Sequence, residues 1–145
     1  MIPFYINDVS IECINHAAIT YQVPATVIIS VLKMEGGKNG SANRNKDGSY
    51  DYGPMQVNSR WLRTITPYGY TQNDIQFNPC INVEVGAWIL RQGIFEGKDY
   101  WNGVGNYHSH TSTLNEHYHF KVKYYYNWLK QLLSQEFKKT ERGER

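Results

Sequence analysis

The sequence has no long hydrophobic run and no large excess of charge of one sign. No stretch of about 18 apolar residues is present, so we expect no membrane-spanning helix and no membrane insertion. The 15 Lys and Arg residues nearly balance the 13 Asp and Glu residues, giving a net charge of +2. All of this excess falls in the last eight residues, 138–145, and the rest of the chain is neutral. Nucleic-acid binding needs a clustered basic face, so we expect no nucleic-acid partner.

Cysteine is also scarce, which limits the metal and redox sites that the chain can build. Only Cys13 and Cys80 are present, and no Cys-x-x-Cys spacing predicts a zinc ribbon or a thioredoxin motif. The spacing alone leaves open whether these thiols pair or stay separate. Two His-x-His pairs lie at positions 108–110 and 117–119, but residues two apart diverge on a helix and no cysteine lies nearby. We therefore expect no metal and no cofactor.

Aromatic residues, in contrast, are abundant: the chain has 12 Tyr, 5 Phe and 4 Trp. Tyrosine and tryptophan combine a flat apolar face with a polar group, which suits clefts that stack sugars or nucleobases. The same side chains also serve as ordinary core. Composition alone leaves both interpretations open.

Hydrophobic periodicity predicts two helices in the first third of the chain. Asp8 or Ser10 would cap a helix over residues 11–21, where apolar positions recur at helical spacing. A second helix, from about Ala25 to Glu35, is apolar almost all round, so we expect it to be buried in the centre of the domain. The glycines at positions 36 and 37 would end it.

The pattern then changes to glycine, asparagine, serine and aspartate over residues 38–53. The pair Asp47-Gly48 predicts a β-hairpin there, and we expect no other sheet. Asn58 or Ser59 would cap a short helix that contains Trp61, and the residues that follow, around positions 67–69, would form a loop.

Three further helices are predicted from their first residues. Asn78 followed by Pro79 would open one, and Asp99 would cap a short one over residues 100–107. A capping box of Thr113 and Glu116 would open a long last helix, with a buried stripe of Val122, Tyr125, Leu129, Leu132 and Leu133. We therefore predict an α+β, mainly helical domain over residues 1–137 with a small β-hairpin lobe, followed by a charged flexible tail, 138–145.

Two carboxylates stand out on physical grounds. Glu35 ends an apolar helix, where burial and the negative end of the helix dipole would both keep it protonated near neutral pH. Asp51 follows a polar hairpin, where hydrogen-bonding neighbours would keep it ionised. A protonated and an ionised carboxyl group side by side are the arrangement used to cleave glycosides. By spacing alone, Glu35 also fits an ordinary surface residue.

Longer motifs favour the catalytic interpretation. The run over residues 43–61 resembles the hairpin and following helix of animal c-type lysozymes. In addition, four motifs resemble, in order, those of bacterial soluble lytic transglycosylases, and most of all the specialised enzymes of type III and type IV secretion, conjugation and pilus systems. These motifs are Glu35-Gly36-Gly37, Gly53-Pro54-Met55-Gln56-Val57-Asn58, Asn78-Pro79-Cys80-Ile81-Asn82-Val83 and Val104-Gly105-Asn106-Tyr107-His108-Ser109.

The resemblance implies a lysozyme-like fold and a reaction at peptidoglycan. Glu35 would protonate the β-1,4 glycosidic oxygen between N-acetylmuramic acid and N-acetylglucosamine. It would then act as base on the muramic C6 hydroxyl, which closes a 1,6-anhydro ring. No cofactor is implied, and we expect a monomer.

The same resemblance assigns substrate-binding roles around Glu35. Gln56 would form hydrogen bonds with sugar, Met55 would shape the cleft floor, and Gly53 would let the backbone approach the substrate. Asn58 matches a lysozyme residue that contacts an acetamido group. Tyr107 would orient Glu35 through its hydroxyl or support the developing charge.

Three departures from the family pattern leave alternatives open. Gly36 stands where serine is common, and His108, which would line the cleft, stands where asparagine is common. Asp51 occupies the position of the second lysozyme carboxylate, which most soluble lytic transglycosylases lack. The alternatives are therefore a lysozyme-like hydrolase that uses Glu35 and Asp51, or a hairpin role for Asp51. A third alternative is that the chain is not an enzyme but a non-catalytic module that binds the cell wall and serves in assembly.

The resemblance also bears on the cysteines and on location. Relatives associated with secretion carry a cysteine pair at the positions of Cys13 and Cys80, which implies a disulfide and export to the periplasm. Residues 1–11 have no basic n-region and are interrupted by polar residues and a proline, so they do not read as a signal peptide. We expect that a leader has been removed. The implied partners are peptidoglycan glycan strands and components of a secretion, conjugation or pilus apparatus.

Overall fold

A computed structural model describes residues 4–143, and these residues form a mainly helical α+β domain. The strands are β1 (Tyr5–Ile6), β2 (Val9–Ser10), β3 (Ala42–Arg44), β4 (Tyr50–Tyr52) and β5 (Val57–Asn58). The helices are α1 (Ile11–Tyr21), α2 (Ala25–Glu35), α3 (Leu62–Ile65), α4 (Gln72–Phe77), α5 (Pro79–Glu96), α6 (Tyr100–Gly105) and α7 (Ser112–Glu141). The predicted mainly helical fold class is confirmed.

Local capping signals fix most helix starts. Ser10 accepts a hydrogen bond from the Cys13 amide at 3.1 Å, and Asn78 caps α5 with Pro79 at the first helical position. Asp99 caps α6 in the same way. The predicted capping box at the start of α7 is wrong, because that helix begins at Ser112 and its N-cap residue makes no side-chain hydrogen bond.

The core lies between α2, α5 and α7. As predicted, α2 is central: it packs against α7 and α1 and buries Val27, Ile28, Val31 and Leu32. The central α5 packs against α1, α4 and α6. The buried side of α7 includes the predicted Val122 and Leu129 but extends upstream to Asn115 and Tyr118. This extension carries α7 to the end of α2.

A disulfide between Cys13 and Cys80 joins α1 to the first turn of α5, with a Cα–Cα distance of 5.3 Å. The disulfide that the family resemblance implies is therefore present. It connects two helices that pack side by side, so it closes a long loop of chain around the core.

The sheet region differs from the prediction in two ways. The hairpin of β3 and β4 gains a third antiparallel strand, β5, which pairs Asp51 with Asn58. A second small sheet, β1–β2, turns at Asn7 and Asp8, whose φ angles are 50° and 68°. Asparagine and aspartate tolerate this left-handed region, and it matches the tight turn of a two-residue hairpin. The prediction of a single sheet is therefore wrong.

After the predicted loop at residues 67–69 the structure has an additional helix, α4, which the sequence did not predict. Thr71 and Asp74 form a capping box at its start, with hydrogen bonds of 3.2 and 2.8 Å between side chains and backbone. The long α7 runs to Glu141, so the predicted tail begins as helix. Residues 1–3, at the start of the N-terminal segment, and 144–145, at the end of that tail, lie outside the described residues. None of the helices in the described range is long and apolar enough to cross a membrane.

Candidate active site

A cavity of about 250 Å³ lies between the end of α2 and the three-stranded sheet. It brings together six of the side chains that the sequence singles out, namely Glu35, Asp51, Gln56, Asn58, Tyr107 and His108. It is also lined by residues that the sequence reasoning did not assign to a site, among them Asn45, Ser49, Arg60, Trp61 and Ile89. Two predicted residues, Gly53 and Met55, are buried beneath it instead.

Glu35 is the last residue of α2, and Gly36 ends the helix in the left-handed conformation with a φ of 65°. Burial raises the pKa of Glu35 from 4.5 to about 7, a hydrogen bond from Tyr118 opposes this rise, and the charge of Asp51 adds to it. A carboxyl group with this pKa holds its proton in much of the population near neutral pH. It can therefore act as a general acid and, once ionised, as a base.

The hydroxyl that contacts Glu35 belongs to Tyr118, not to the predicted Tyr107. Tyr118 on α7 donates a hydrogen bond of 2.6 Å to Glu35 Oε2. The Tyr107 hydroxyl donates at 2.6 Å to the backbone carbonyl of Met55. Tyr118 could have been found from the helical spacing of Tyr118, Val122 and Leu129, but its contact with a residue 83 positions away depends on how α2 and α7 pack.

Aromatic rings pack behind this hydroxyl. The His108 imidazole stacks on the Tyr118 ring with centroids 5.1 Å apart and planes 10° apart. Tyr107 stacks at 6.4 Å from the same ring. Burial and the charge of Glu35 raise the pKa of Tyr118 well above 10, so the hydroxyl remains a donor at neutral pH. The stack holds Tyr118 in place beneath Glu35.

Asp51 lies in the middle of β4 and is held by its neighbour on β5. Asn58 Nδ2 donates at 2.9 Å to Asp51 Oδ1 and at 3.0 Å to Ser49 Oγ, while Asn58 Oδ1 accepts from the Arg60 amide at 3.0 Å. Both amide hydrogens of Asn58 are therefore directed at protein atoms. In this geometry Asn58 positions Asp51, which differs from the predicted contact with an acetamido group.

Gln56 is also engaged with the protein. Its Nε2 donates to the Gly53 carbonyl at 2.9 Å and to Ser41 Oγ at 3.2 Å, and its Oε1 accepts from Asn43 at 2.9 Å. The backbone of Gln56 is in the left-handed region with a φ of 53°. Any hydrogen bond to sugar would therefore use Oε1 as an acceptor.

The buried Asn82 explains the positions of Gly53 and Met55. Asn82 Oδ1 accepts from the Met55 amide at 2.8 Å, and its Nδ2 donates to the carbonyls of Tyr52 and Ile75 at 2.8 and 2.7 Å. A Cβ at Gly53 would collide with the Asn82 side chain, and the φ of Gly53 is 68°. The glycine therefore makes room for Asn82, and its approach to substrate stays a prediction. This side chain ties the cleft floor to α5.

Metal ligation has no support among the described residues, where no group of three or more His, Cys, Asp or Glu side chains could hold an ion. The cavity instead offers a carboxyl group that holds its proton in much of the population near neutral pH, a second carboxyl group and a polar wall. This arrangement can protonate a leaving oxygen and stabilise positive charge on a sugar ring.

Comparison with known proteins is consistent with this chemistry. Residues 12–127 match the family described as "Transglycosylase SLT domain". The chain is 31% identical to the protein IpgF of Shigella flexneri over 102 residues, covering 70% of this chain and 67% of that protein. It is 29% identical to the invasion protein IagB of Salmonella typhi over 136 residues, 90% and 85% of the two chains. It is 27% identical to a peptidoglycan-binding-like protein of Escherichia coli O157:H7 over 108 residues, 69% and 65% of the two chains.

Proposed function

Because the chain belongs to the transglycosylase SLT domain family, whose members are glycosidase-like enzymes of peptidoglycan, we propose that it is a lytic transglycosylase. The bond cleaved is the β-1,4 linkage between N-acetylmuramic acid and N-acetylglucosamine, and the products carry 1,6-anhydro ends. The observation that carries the proposal is the cleft carboxyl group of Glu35, with a pKa of about 7.

The reaction needs one group that is first an acid and then a base. Protonated Glu35 gives its proton to the glycosidic oxygen, and the bond from this oxygen to muramic C1 breaks. The Glu35 carboxylate then takes the proton of the muramic C6 hydroxyl, whose oxygen forms a bond to C1. Glu35 ends protonated, and no water is consumed.

Two neighbours support these steps. Tyr118 donates to Glu35 Oε2, which orients the carboxyl group and stabilises its ionised form. Asp51 shares the cavity and is fixed by Asn58, so its negative charge would stabilise the oxocarbenium-like transition state. The same placement of Asp51 favours a second candidate function, a lysozyme-like hydrolase in which water takes the place of the C6 hydroxyl.

A digest of purified cell wall tests the proposal and separates the two reactions. Transglycosylation gives anhydro-muropeptides that are one water lighter than the reducing products of hydrolysis, a difference that mass spectrometry resolves. Glu35→Gln should abolish product formation, while Glu116→Gln, an exposed change on α7, should not. Full activity of Glu35→Gln would mean that Glu35 is not the catalytic acid. Absence of any product from the parent chain would favour the non-catalytic wall-binding module.

Asp51→Asn tests the second carboxylate. We expect a loss of rate on the order of 10²-fold, because one preorganised charge at a developing cation is removed. Circular dichroism should show a folded domain, since asparagine keeps the size of the side chain. A full rate would mean that Asp51 only supports the hairpin.

We also propose where the enzyme acts. The Cys13–Cys80 disulfide suits an oxidising compartment such as the periplasm, where peptidoglycan is accessible. The similarity to an invasion protein supports a role in opening the wall locally for a secretion, conjugation or pilus apparatus. We further propose that the domain acts as a monomer delivered by components of that apparatus.

A further inference from the structure

A second cavity, of about 490 Å³, lies on the other side of a tryptophan pair from the active site. Trp61 lines the catalytic cavity, and Trp88 lines the second one. Their rings meet edge to face with centroids 5.6 Å apart. Ile89, next to Trp88 on α5, faces the catalytic cavity. The two cavities are therefore neighbours along α5.

The lining of this cavity combines aromatic faces with hydroxyl groups. Tyr21 ends α1, Thr64 belongs to α3, and Tyr68 and Tyr70 follow in the connection to α4. None of the seven residues that line the cavity is charged. Within residues 4–143, none of these four hydroxyls forms a hydrogen bond with another side chain or with the backbone. They are available to a ligand.

These features select the chemistry of the occupant. A cavity of several hundred Å³ with apolar walls and a few polar groups is typical of a small-ligand site. Flat aromatic faces suit the C–H face of a sugar ring, and free hydroxyls suit its hydroxyl and acetamido groups. A charged peptide stem would find no partner charge among the lining residues.

We propose that the second cavity binds an uncharged N-acetylhexosamine unit of the same glycan strand that occupies the catalytic cleft. This inference rests on the proposed function, because it assumes a glycan strand in that cleft. Such a site would make binding depend on strand length, since only a strand long enough to pass the Trp61–Trp88 pair reaches it. It would hold the enzyme on long strands.

Binding of N-acetylglucosamine oligomers to the Glu35→Gln protein tests the proposal without cleavage. In a titration with the hexamer, followed by amide NMR, the signals of residues 64–70 and those of the catalytic cavity should shift with the same apparent Kd. Silence of residues 64–70 while the catalytic cavity saturates would overturn the proposal. Saturation of the second cavity by an apolar peptide instead would have the same consequence.

Variants in the same background measure the contribution of the lining. Tyr68 is 80% exposed, so Tyr68→Ala should fold, and we expect it to raise the Kd of the hexamer about fivefold to tenfold through loss of one stacking face. Tyr70→Phe removes a single hydroxyl and should raise this Kd less. Tyr124→Ala, an exposed tyrosine on α7 outside both cavities, is the matched control and should leave it unchanged.

The outcomes distinguish this inference from the proposed function. If the parent chain cleaves peptidoglycan but Tyr68→Ala binds the hexamer with unchanged Kd, this inference alone is wrong. If residues 64–70 respond to the hexamer and the parent chain forms no cleavage product, the proposed activity alone is wrong and the saccharide site stands.

Discussion

Replacing Glu35 by glutamine should stabilise the folded protein at pH 8 and leave its stability at pH 4 nearly unchanged. Glutamine keeps the size of the side chain and an oxygen that can accept the Tyr118 hydrogen bond. It removes the charge that burial opposes. The change therefore isolates the free energy of ionising a carboxyl group in the cleft.

The magnitude follows from the pKa of Glu35. In the folded protein this pKa is about 7, and the ordinary value is 4.5. Between these two pH values the folded state holds a proton that the unfolded state has released, so the free energy of unfolding falls as pH rises. At 1.36 kcal/mol for each pKa unit, the total loss above pH 7 is about 3 kcal/mol. Glu35→Gln does not undergo this loss.

Urea denaturation at pH 4, 6 and 8, with the disulfide intact, measures the effect. At pH 8 the variant should unfold at a urea concentration about 1–3 M higher than the parent chain, given ordinary denaturant slopes. At pH 4 the two midpoints should nearly coincide. Glu116→Gln removes one exposed carboxylate and serves as the control, which should follow the parent chain at each pH.

A difference between variant and parent that does not change with pH would refute this reasoning. It would mean that Glu35 ionises in the folded protein as it does in the unfolded chain. The cleft would then hold two charged carboxylates at neutral pH, and Glu35 could not serve as the general acid. NMR titration of the Glu35 carboxyl carbon measures the pKa of Glu35 in the folded protein independently.

Three further predictions address contacts in the site and in the core. Tyr118→Phe removes the hydrogen-bond donor to Glu35, so the pKa of Glu35 should rise further and the activity should fall about tenfold. In a pH–rate profile, the loss of activity on the alkaline side should move to higher pH, and an unmoved profile would contradict the contact. Asn82→Ala removes three buried hydrogen bonds to the backbone and should lower the free energy of unfolding by about 3 kcal/mol in urea denaturation. A loss below about 1 kcal/mol would argue against the buried contacts. Replacing both Cys13 and Cys80 by serine should lower the free energy of unfolding in urea denaturation by about 4 kcal/mol. Reduction of the disulfide in the parent chain should lower it by the same amount.

The sequence alone is enough for features that depend on a few neighbouring residues. Ser10, Asn78 and Asp99 begin helices where they are expected to, because a cap hydrogen bond spans only two or three residues. The central position of α2 follows from its apolar surface all round. Very short elements escape such reasoning: two residues per strand in β1 and β2 show no periodicity, and the turn at Asn7-Asp8 was not predicted.

At the candidate site, too, some features follow from the sequence and others depend on the tertiary structure. The order and spacing of the motifs predicted a shared site for Glu35, Asp51 and their neighbours. The structure places these residues around one cavity, because the segments that carry them end at the same cleft. The motifs did not reveal which side chains touch. Gln56 and Asn58 turn their amide hydrogens to the protein, a detail set by the register of the sheet and by the turn at residues 53–56.

The sequence by itself determined most of the helices, though not α4, together with the small polar hairpin and the acid at the end of α2, because each depends on local pattern. Only the tertiary structure decided that Tyr118 rather than Tyr107 meets Glu35, and that Gly53 makes room for Asn82. These contacts join residues up to 83 positions apart, and their geometry depends on how α7 and α5 pack against α2 and the sheet. Packing at that distance leaves no periodic signal in the chain.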